Sequence, residues 1–327
     1  MRRQTDSGTN AINGILVVDK PVGVTSAEVV SRVKRRLGVS KVGHAGTLDP
    51  GAEGVLICCI NQATKLARFL LRGSKTYRAV LKLGIETDTQ DAYGQVMAIA
   101  VPTGYSEKTI RETLAQFEGT IRQTPPVYSA LKHRGQRLYK LARRGKPVQK
   151  PARKVKISAI RLIDFNLPLV RFEVSCSSGT YIRTLCADIG RSLGCGGHMA
   201  ALKRLESSGF SLREAVRLSE LESLLQGGRL AARIIPMADA LPKMQTVCAD
   251  ERLARAVRHG RPIRRRDLET ELRPEGNESD RLHVKIVDTG GRLLAVLRMQ
   301  PDNPRLDYCF VINRQRQRMG SRSMRSE

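Results

Sequence analysis

The sequence predicts an α+β fold in two parts: a mixed β-sheet core with flanking helices, then a small β-rich module towards the C-terminus. Three observations predict it. Strand-like runs and helical periodicities are interspersed between residues 14 and 193 without a regular βαβ rhythm, which disfavours a doubly wound sheet. After about Met244 the pattern changes to a short helix and two alternating runs around a glycine turn. A length of 327 residues with 41% apolar content fits two domains and fills a sizeable core. The expected division is a core at 12–240 and a module at 245–312, flanked by a flexible N-terminus (1–11) and a basic tail (313–327) without fixed structure.

Each element has a local reason. Gly14 to Val18 is a continuous apolar run, read as a buried strand, and Asp19 to Gly23 reads as a turn. Thr25 and Glu28 have capping-box spacing before a helix whose Val29, Val30, Val33 and Leu37 share one side. Gly43 to Gly54 reads as a glycine-rich loop, Val55–Ile60 as a buried strand and Gln62–Leu71 as a helix. Thr76–Leu83 alternates as a strand does and leads into a turn-rich stretch ending at Gly94. Ser106 caps a helix through Phe117; strands follow at Val155–Ile163 and Val170–Cys176, then a helix from about Tyr181 to Leu193. In the module, Asp250 opens a helix that stops at Gly260. Leu282–Val287 and Arg292–Arg298 flank Asp288-Thr289-Gly290-Gly291 as a hairpin.

Charge narrows the function. There are 57 Lys+Arg against 31 Asp+Glu, a formal net charge of +26. The positive residues cluster: Lys132 to Lys156 holds eleven Lys/Arg and no acid, and Arg252 to Arg266 holds seven Arg and no acid. Each run alone reads as a solvated face, but together they make a polyanion the expected partner. Gly135, Gly145, Pro147 and Pro151 break the first run, so it cannot form the amphipathic helix a membrane surface needs, and nucleic acid is favoured over lipid. That run is expected to be mobile without RNA, with Leu138, Tyr139 and Leu141 giving its middle at most a helical turn. No apolar stretch reaches the roughly 20 residues of a membrane span, and the polar N-terminus lacks a signal-peptide core. Seven cysteines, an odd number with no CxxC spacing, suggest reduced thiols in a cytoplasm.

Several chemistries lack their residues. Gly73-Ser74-Lys75-Thr76 is not a Walker A loop, and no GxGxxG follows the first strand. Cys186, Cys195 and His198 form a weak metal candidate, better read as core thiols and a glycine-loop histidine, so no metal is expected. No GxSxG elbow or HExxH is present. The densest constellation is Gly43 to Gly54, with four glycines in twelve residues and Pro50 biasing Asp49 towards extended backbone. Asp49 reads either as a turn former or as a reactive group; an aspartate beside a phosphate site weakens binding, which favours the second.

Gly43–Pro50 reads GHAGTLDP and closely resembles the signature loop of the TruB-type tRNA pseudouridine-55 synthases. Further motifs follow in family order over about residues 12–210. Asp19–Gly23 is similar to the family's lysine-proline motif, and Lys75–Arg78 with Thr87–Gly94 to its tyrosine-bearing strand and the turn after it. Pro125–Lys132 resembles the start of its RNA-gripping insertion (about 124–154). Ser178–Arg183 resembles its arginine motif, and Gly196–Leu205 its last core motif. Gly51, where a bulkier residue is expected, and Glu53, where threonine is common, depart from the pattern.

The resemblance implies a pseudouridine synthase-like core, a PUA-like RNA-binding module, and an isomerase of the bacterial, stand-alone kind. Such an enzyme breaks the bond between uracil N1 and ribose at position 55 in the tRNA T-arm, turns the base and rejoins it through C5. The reaction is redox-neutral and implies no cofactor; a monomer is expected. By resemblance Asp49 is the essential carboxylate, acting as nucleophile or as base. A carboxylate working nearly dry needs a charged partner, and Arg183 fills that role in the family. Tyr77 is carried over as the residue that stacks on the base, with help in removing the C5 proton as a second role; a core tyrosine is the plain alternative. Leu202 is read as a pocket wall or simply core. His44 is similar to the residue that fills the space left by the flipped uridine or pairs with the displaced nucleotides. Lys20 is read as structural or phosphate-contacting, and Arg137, Lys140, Arg143, Arg144, Arg252, Arg255 and Arg258 as RNA contacts. The rival readings are a guide-RNA-dependent subunit, which lacks the long insertion, and a non-catalytic RNA-binding or tRNA-folding protein.

Overall fold

The computed structural model describes residues 12–268, 282–300 and 303–312. The expected flexible N-terminus and the basic tail lie outside the described residues. The chain divides into two compact units between Ile235 and Pro236, a few residues ahead of the boundary suggested by composition.

The first unit carries β1 (Gly14–Lys20), α1 (Ser26–Leu37), β2 (Val42–His44), β3 (Ala52–Ile60), α2 (Ala67–Leu70), β4 (Lys75–Leu83), β5 (Ile85–Thr87) and β6 (Val96–Ile99). Then come α3 (Glu107–Ala115), β7 (Gly119–Gln123), β8 (Lys132–His133), β9 (Gln136–Arg137), α4 (Leu138–Ala142), β10 (Arg153–Asn166), β11 (Leu169–Cys176), α5 (Ile182–Ser192) and β12 (Gly197–Ser207). β13 (Phe210–Ser211), β14 (Val216–Arg217) and α6 (Leu221–Gln226) complete the unit, and β15 (Ile235–Pro236) falls at the boundary.

The main sheet runs β14-β1-β3-β12-β4-β11-β10-β7. The β1/β14 and β3/β12 pairs are parallel and the rest antiparallel, so the sheet is mixed as expected. β3 reads as an unbroken apolar run because it lies in the middle of the sheet, wholly buried from Val55 to Ile60. β12, the strand between β3 and β4, has only the short apolar run Met199–Leu202 ahead of a charged half, and pairing on both sides holds it. α1 buries Val29 and Val33 over β1 and β3, while α5 and α3 pack on the core around Phe172, Leu81 and Leu185.

Local expectations hold at the caps and shift at the edges. Thr25 and Ser106 accept from the amides of Glu28 and Thr109, as capping requires. The Glu28 carboxylate turns to Arg32 at 2.5 Å. The glycine-rich loop is shorter than predicted because β2 and β3 take both its ends, leaving 45–51 as the connection. The predicted 62–71 helix opens as a tighter turn over Asn61–Leu66 before α2. The turn-rich stretch before Gly94 is part of a hairpin, β5 against β6. In the basic run, β8–β9 form a small hairpin and α4 is the helical turn anticipated around Tyr139, anchored by a fully buried Leu138.

The second unit is a five-stranded sheet ordered β16 (Gln245–Cys248), β18 (His283–Val287), β19 (Leu293–Gln300), β20 (Asn303–Val311) and β17 (Ile263–Arg264). α7 (Glu251–Arg258), capped by Asp250, buries Leu253, Ala254 and Val257 against it. The hairpin turn is closed by Asp288, whose Oδ1 accepts from the amides of Gly290 (3.1 Å) and Arg292 (2.9 Å). A β-rich C-terminal domain is therefore present.

Candidate active site

The connection at 45–51 is held by buried polar side chains of β12 and α1 and by a backbone amide of the turn after β1. Arg204 on β12 is 1% exposed. Its Nε donates to Val55 O at 2.7 Å, its Nη2 to Gly46 O at 3.1 Å and its Nη1 to Thr47 O at 3.5 Å. Ser26 at the start of α1 clasps Leu48 from both sides: its Oγ donates to Leu48 O and accepts from Leu48 N, each at 2.9 Å. Gly23 N donates to Pro50 O at 2.9 Å. Gly46 and Gly54 have φ of +119° and +103°, and a Cβ on Gly54 would meet the Arg204 backbone. These bonds satisfy the loop's carbonyls and fix the direction in which Asp49 leaves it.

Asp49 meets Arg183. The first turn of α5 presents Arg183, whose side chain is 7% exposed, and its Nε lies 3.0 Å from Asp49 Oδ2. The other two nitrogens are also engaged: Nη1 reaches Asp91 Oδ2 (3.3 Å) and Thr89 O (3.1 Å), and Nη2 reaches Tyr128 O (2.9 Å). The fork is thus locked by backbone and by a second carboxylate, so it holds Asp49 from a fixed position. Asp49 itself is 43% exposed. This corrects the expectation of a nearly dry carboxylate: water is excluded from Arg183, and Asp49 stands open to whatever enters.

Around this pair the sheet supplies a floor. Tyr77 pairs with Arg204, and Leu202 pairs with Ala79 and Ala52, so Tyr77, Leu202 and Arg204 share one face of the sheet. Burial pushes the Tyr77 phenol above its ordinary pKa, against the pull of the adjoining Arg204 guanidinium, so the phenol keeps its proton. His44 ends β2. Its Nδ1 is buried without a hydrogen-bond partner among the described residues. Burial first, then the charges of Arg204 and Arg137, hold it below the usual imidazole range, so the ring is neutral.

Lys20 does not fit the role of an RNA contact. It is fully buried, and its Nζ donates to Pro21 O (2.8 Å), Val24 O (2.6 Å) and Pro50 O (3.4 Å). An ammonium with its donors committed to backbone cannot meet a phosphate; Lys20 pins the turn at 21–24 to the Asp49 loop. Burial lowers its pKa from 10.5 to about 8, although the nearby Asp49 favours the charged form.

Arg137, Lys140, Arg143 and Arg144 are exposed along β9, α4 and the turn after it, and the Arg143 guanidinium lies over the Tyr139 ring. Arg252, Arg255 and Arg258 are exposed on α7 of the second unit. The first two face acids just ahead of the run, Asp250 at 4.0 Å and Glu251 at 3.6 Å. His198 does not join Cys186 and Cys195 in a ligand set: its Nδ1 lies 2.8 Å from Ile85 O. No group of three metal-binding side chains occurs among the described residues. Nor is any helix among them long and apolar enough to cross a membrane. Sequence reasoning passed over Arg204 and Asp91, although both lie inside motifs already noted.

Two family models match the chain: the TruB family pseudouridylate synthase N-terminal domain over residues 34–182, and the tRNA pseudouridylate synthase B C-terminal domain over 183–242. A tRNA pseudouridine synthase B of Syntrophobacter fumaroxidans is 43% identical, covering 87% of this chain and 92% of its own. One of Burkholderia pseudomallei is 42% identical, with 88% and 93% covered. Among solved structures, a chain of a Cbf5-Nop10-Gar1 complex has a TM-score of 0.71 at 27% identity, covering 91% of this chain and 84% of that one. The mixed sheet, with its arginine-held aspartate loop, is therefore that of a pseudouridine synthase. Within that class the chain belongs to the TruB family of bacterial tRNA pseudouridine synthases, and it is an isomerase.

Proposed function

We propose that this chain converts the uridine at position 55, in the T-loop of tRNA, to pseudouridine, with Asp49 as the group that acts on the ribose. The observation that carries this reading is the Asp49–Arg183 pair: an open carboxylate, 3.0 Å from a guanidinium that is itself dry and held by three further acceptors. Arg183 favours the ionised carboxylate and aims it without covering it. A uridine must leave its stack to reach it, at a cost of a few kcal/mol. In this reading His44 fills the vacated space, and Tyr77 and Leu202 receive the base. The glycosidic bond to N1 then breaks, the uracil turns and C5 bonds to C1′; the proton lost from C5 is balanced by one taken up at N1, and nothing is oxidised or reduced. Stand-alone action is favoured over guide-RNA dependence by the insertion carrying β8, β9 and α4 and by the identity to the curated tRNA enzymes.

The test is to incubate the protein with unmodified tRNA and map pseudouridine by carbodiimide treatment and reverse transcription. We expect one stop in the T-loop with the parent and none with Asp49→Asn, which still binds tRNA because it loses one repelling charge at constant volume. Turnover by Asp49→Asn above a few per cent of the parent rate would remove Asp49 from the role. A tRNA that is bound but never modified by the parent would favour the RNA-folding reading.

A further inference from the structure

Tyr93 leaves 73% of its surface open, yet its ring has a built seat. It lies on the bare Cα of Gly51: a Cβ there would stand 2.8 Å from Tyr93 Cζ and 2.9 Å from its hydroxyl, and closer still to Cε2. Any side chain at 51 would displace the ring. The seat is two residues beyond Asp49. The turn that carries Tyr93 is also tied to the reactive pair, because Asp91 Oδ1 accepts from Tyr93 N at 3.0 Å while its Oδ2 meets Arg183 Nη1 at 3.3 Å. The tyrosine hydroxyl has no hydrogen-bond partner among the described residues, so no polar bond explains the ring's position.

We propose that Tyr93 is an RNA-stacking residue, its open face receiving the base of a nucleotide next to the uridine on which Asp49 acts. The inference rests on the function proposed above and extends it to a contact outside the reacting nucleotide. When a uridine flips, its neighbours lose a stacking partner, and a fixed aromatic ring replaces it whatever the neighbouring base. Local charge argues for the same kind of contact. Asp49, Asp88 and Asp91 sit on the loop and turn at this rim, where carboxylates repel phosphates, so the attraction available there is to the π-face of a base. Tyr93 brings that attraction without adding charge.

The chain contains no tryptophan, so Tyr93→Trp introduces a single one. Titrating this full-length variant with unmodified tRNA should quench at least half of its emission, with the midpoint matching the Kd from filter binding. Tyr93→Ala should bind tRNA on the order of tenfold more weakly, as loss of one base–aromatic stack does, while Tyr93→Phe binds as the parent does. Gly51→Ala should weaken binding like Tyr93→Ala and add nothing in the double variant, because both act through the same ring. Undiminished emission at saturating tRNA, or parent-like affinity in Tyr93→Ala, overturns the proposal. Pseudouridine mapping on the parent keeps the two readings apart. Product from the parent, with the indole of Tyr93→Trp still bright, sinks only the stacking role; no product sinks the function and this inference with it.

Discussion

Replacing Arg204 with methionine should unlock the Asp49 loop while nearly keeping the core filled. The variant loses the bonds from Nε to Val55 O (2.7 Å) and from Nη2 to Gly46 O (3.1 Å); the long 3.5 Å bond to Thr47 O adds little. Hydrogen bonds made by a charged group are worth about 1.5–3 kcal/mol each, so the gross loss is about 3–6 kcal/mol. Methionine avoids desolvating a guanidinium, which offsets part of that, but two carbonyls are left dry, and a net loss of about 3 kcal/mol follows. For a unit of this size the midpoint of thermal unfolding should fall by roughly 6–12 °C. The catalytic effect should be larger. Freed of its clamp, the loop no longer aims Asp49 at a fixed point, and a misplacement of about 1 Å costs about a hundredfold in rate. The assay is single-turnover pseudouridine formation at saturating tRNA, well below the midpoint, beside a melting curve and a filter-binding Kd. Arg204→Lys, which reaches fewer of these carbonyls, should be intermediate. A midpoint within about 2 °C of the parent together with a near-parental saturated rate would refute the clamp.

Asp91→Asn removes the second anion from Arg183 at constant shape; the saturated rate should drop by about tenfold or more while tRNA affinity holds, consistent with one charge-assisted bond. An unchanged rate would show that Asp49 and the carbonyls of Thr89 and Tyr128 orient the fork without Asp91. Replacing Arg137, Lys140, Arg143 and Arg144 with alanine should raise KM and lower the slope of log affinity against log salt by roughly 0.7–0.9 for each phosphate no longer neutralised. Parallel salt lines for parent and variant would show that this segment does not grip RNA. Lys20 and Lys75 are buried lysines whose pKa values fall from 10.5 to about 8, mainly through burial. Their folded-state pKa lies below the unfolded one, so between pH 8 and 10.5 the unfolded chain binds more protons, and their contribution to stability rises with pH. It is on the order of 3 kcal/mol each over that window. The buried thiols of Cys58, Cys59 and Cys186, pushed up by burial, act in the opposite sense. The readout is therefore the difference between parent and Lys75→Met, whose unfolding free energy should rise less steeply across pH 8–10; equal slopes would contradict it. Product formation with prefolded tRNA should survive a chelator at constant ionic strength, and a loss restored by stoichiometric zinc would revive the Cys186, Cys195 and His198 set.

What the amino-acid order determined by itself was local or cumulative. Thr25, Ser106 and Asp250 announce their helices because a cap bonds to an amide three residues away. β1 and β3 announce themselves because strands covered on both faces are apolar throughout. Net charge is a sum, and the GHAGTLDP run is contiguous, so the polyanion partner and the aspartate loop were both legible. Only the tertiary structure decided which polar groups would be dry. Arg204 reaches back 149 residues to Val55, and Arg183 reaches 92 to Asp91. The motif ending at Arg183 marked that residue as the partner of Asp49, but nothing near Arg204 in sequence separates a loop clamp from one more positive charge on a +26 chain. Lys20 looked available for phosphate until folding closed three carbonyls around it, and Asp49 looked destined for burial until the fold left it open. Gly51 and Tyr93 carry no shared signal in the sequence, and they make a seat only when the turn closes over the loop. Burial and long-range pairing are set by which strands become neighbours, and β12 came between β3 and β4 through contacts that no local pattern encodes.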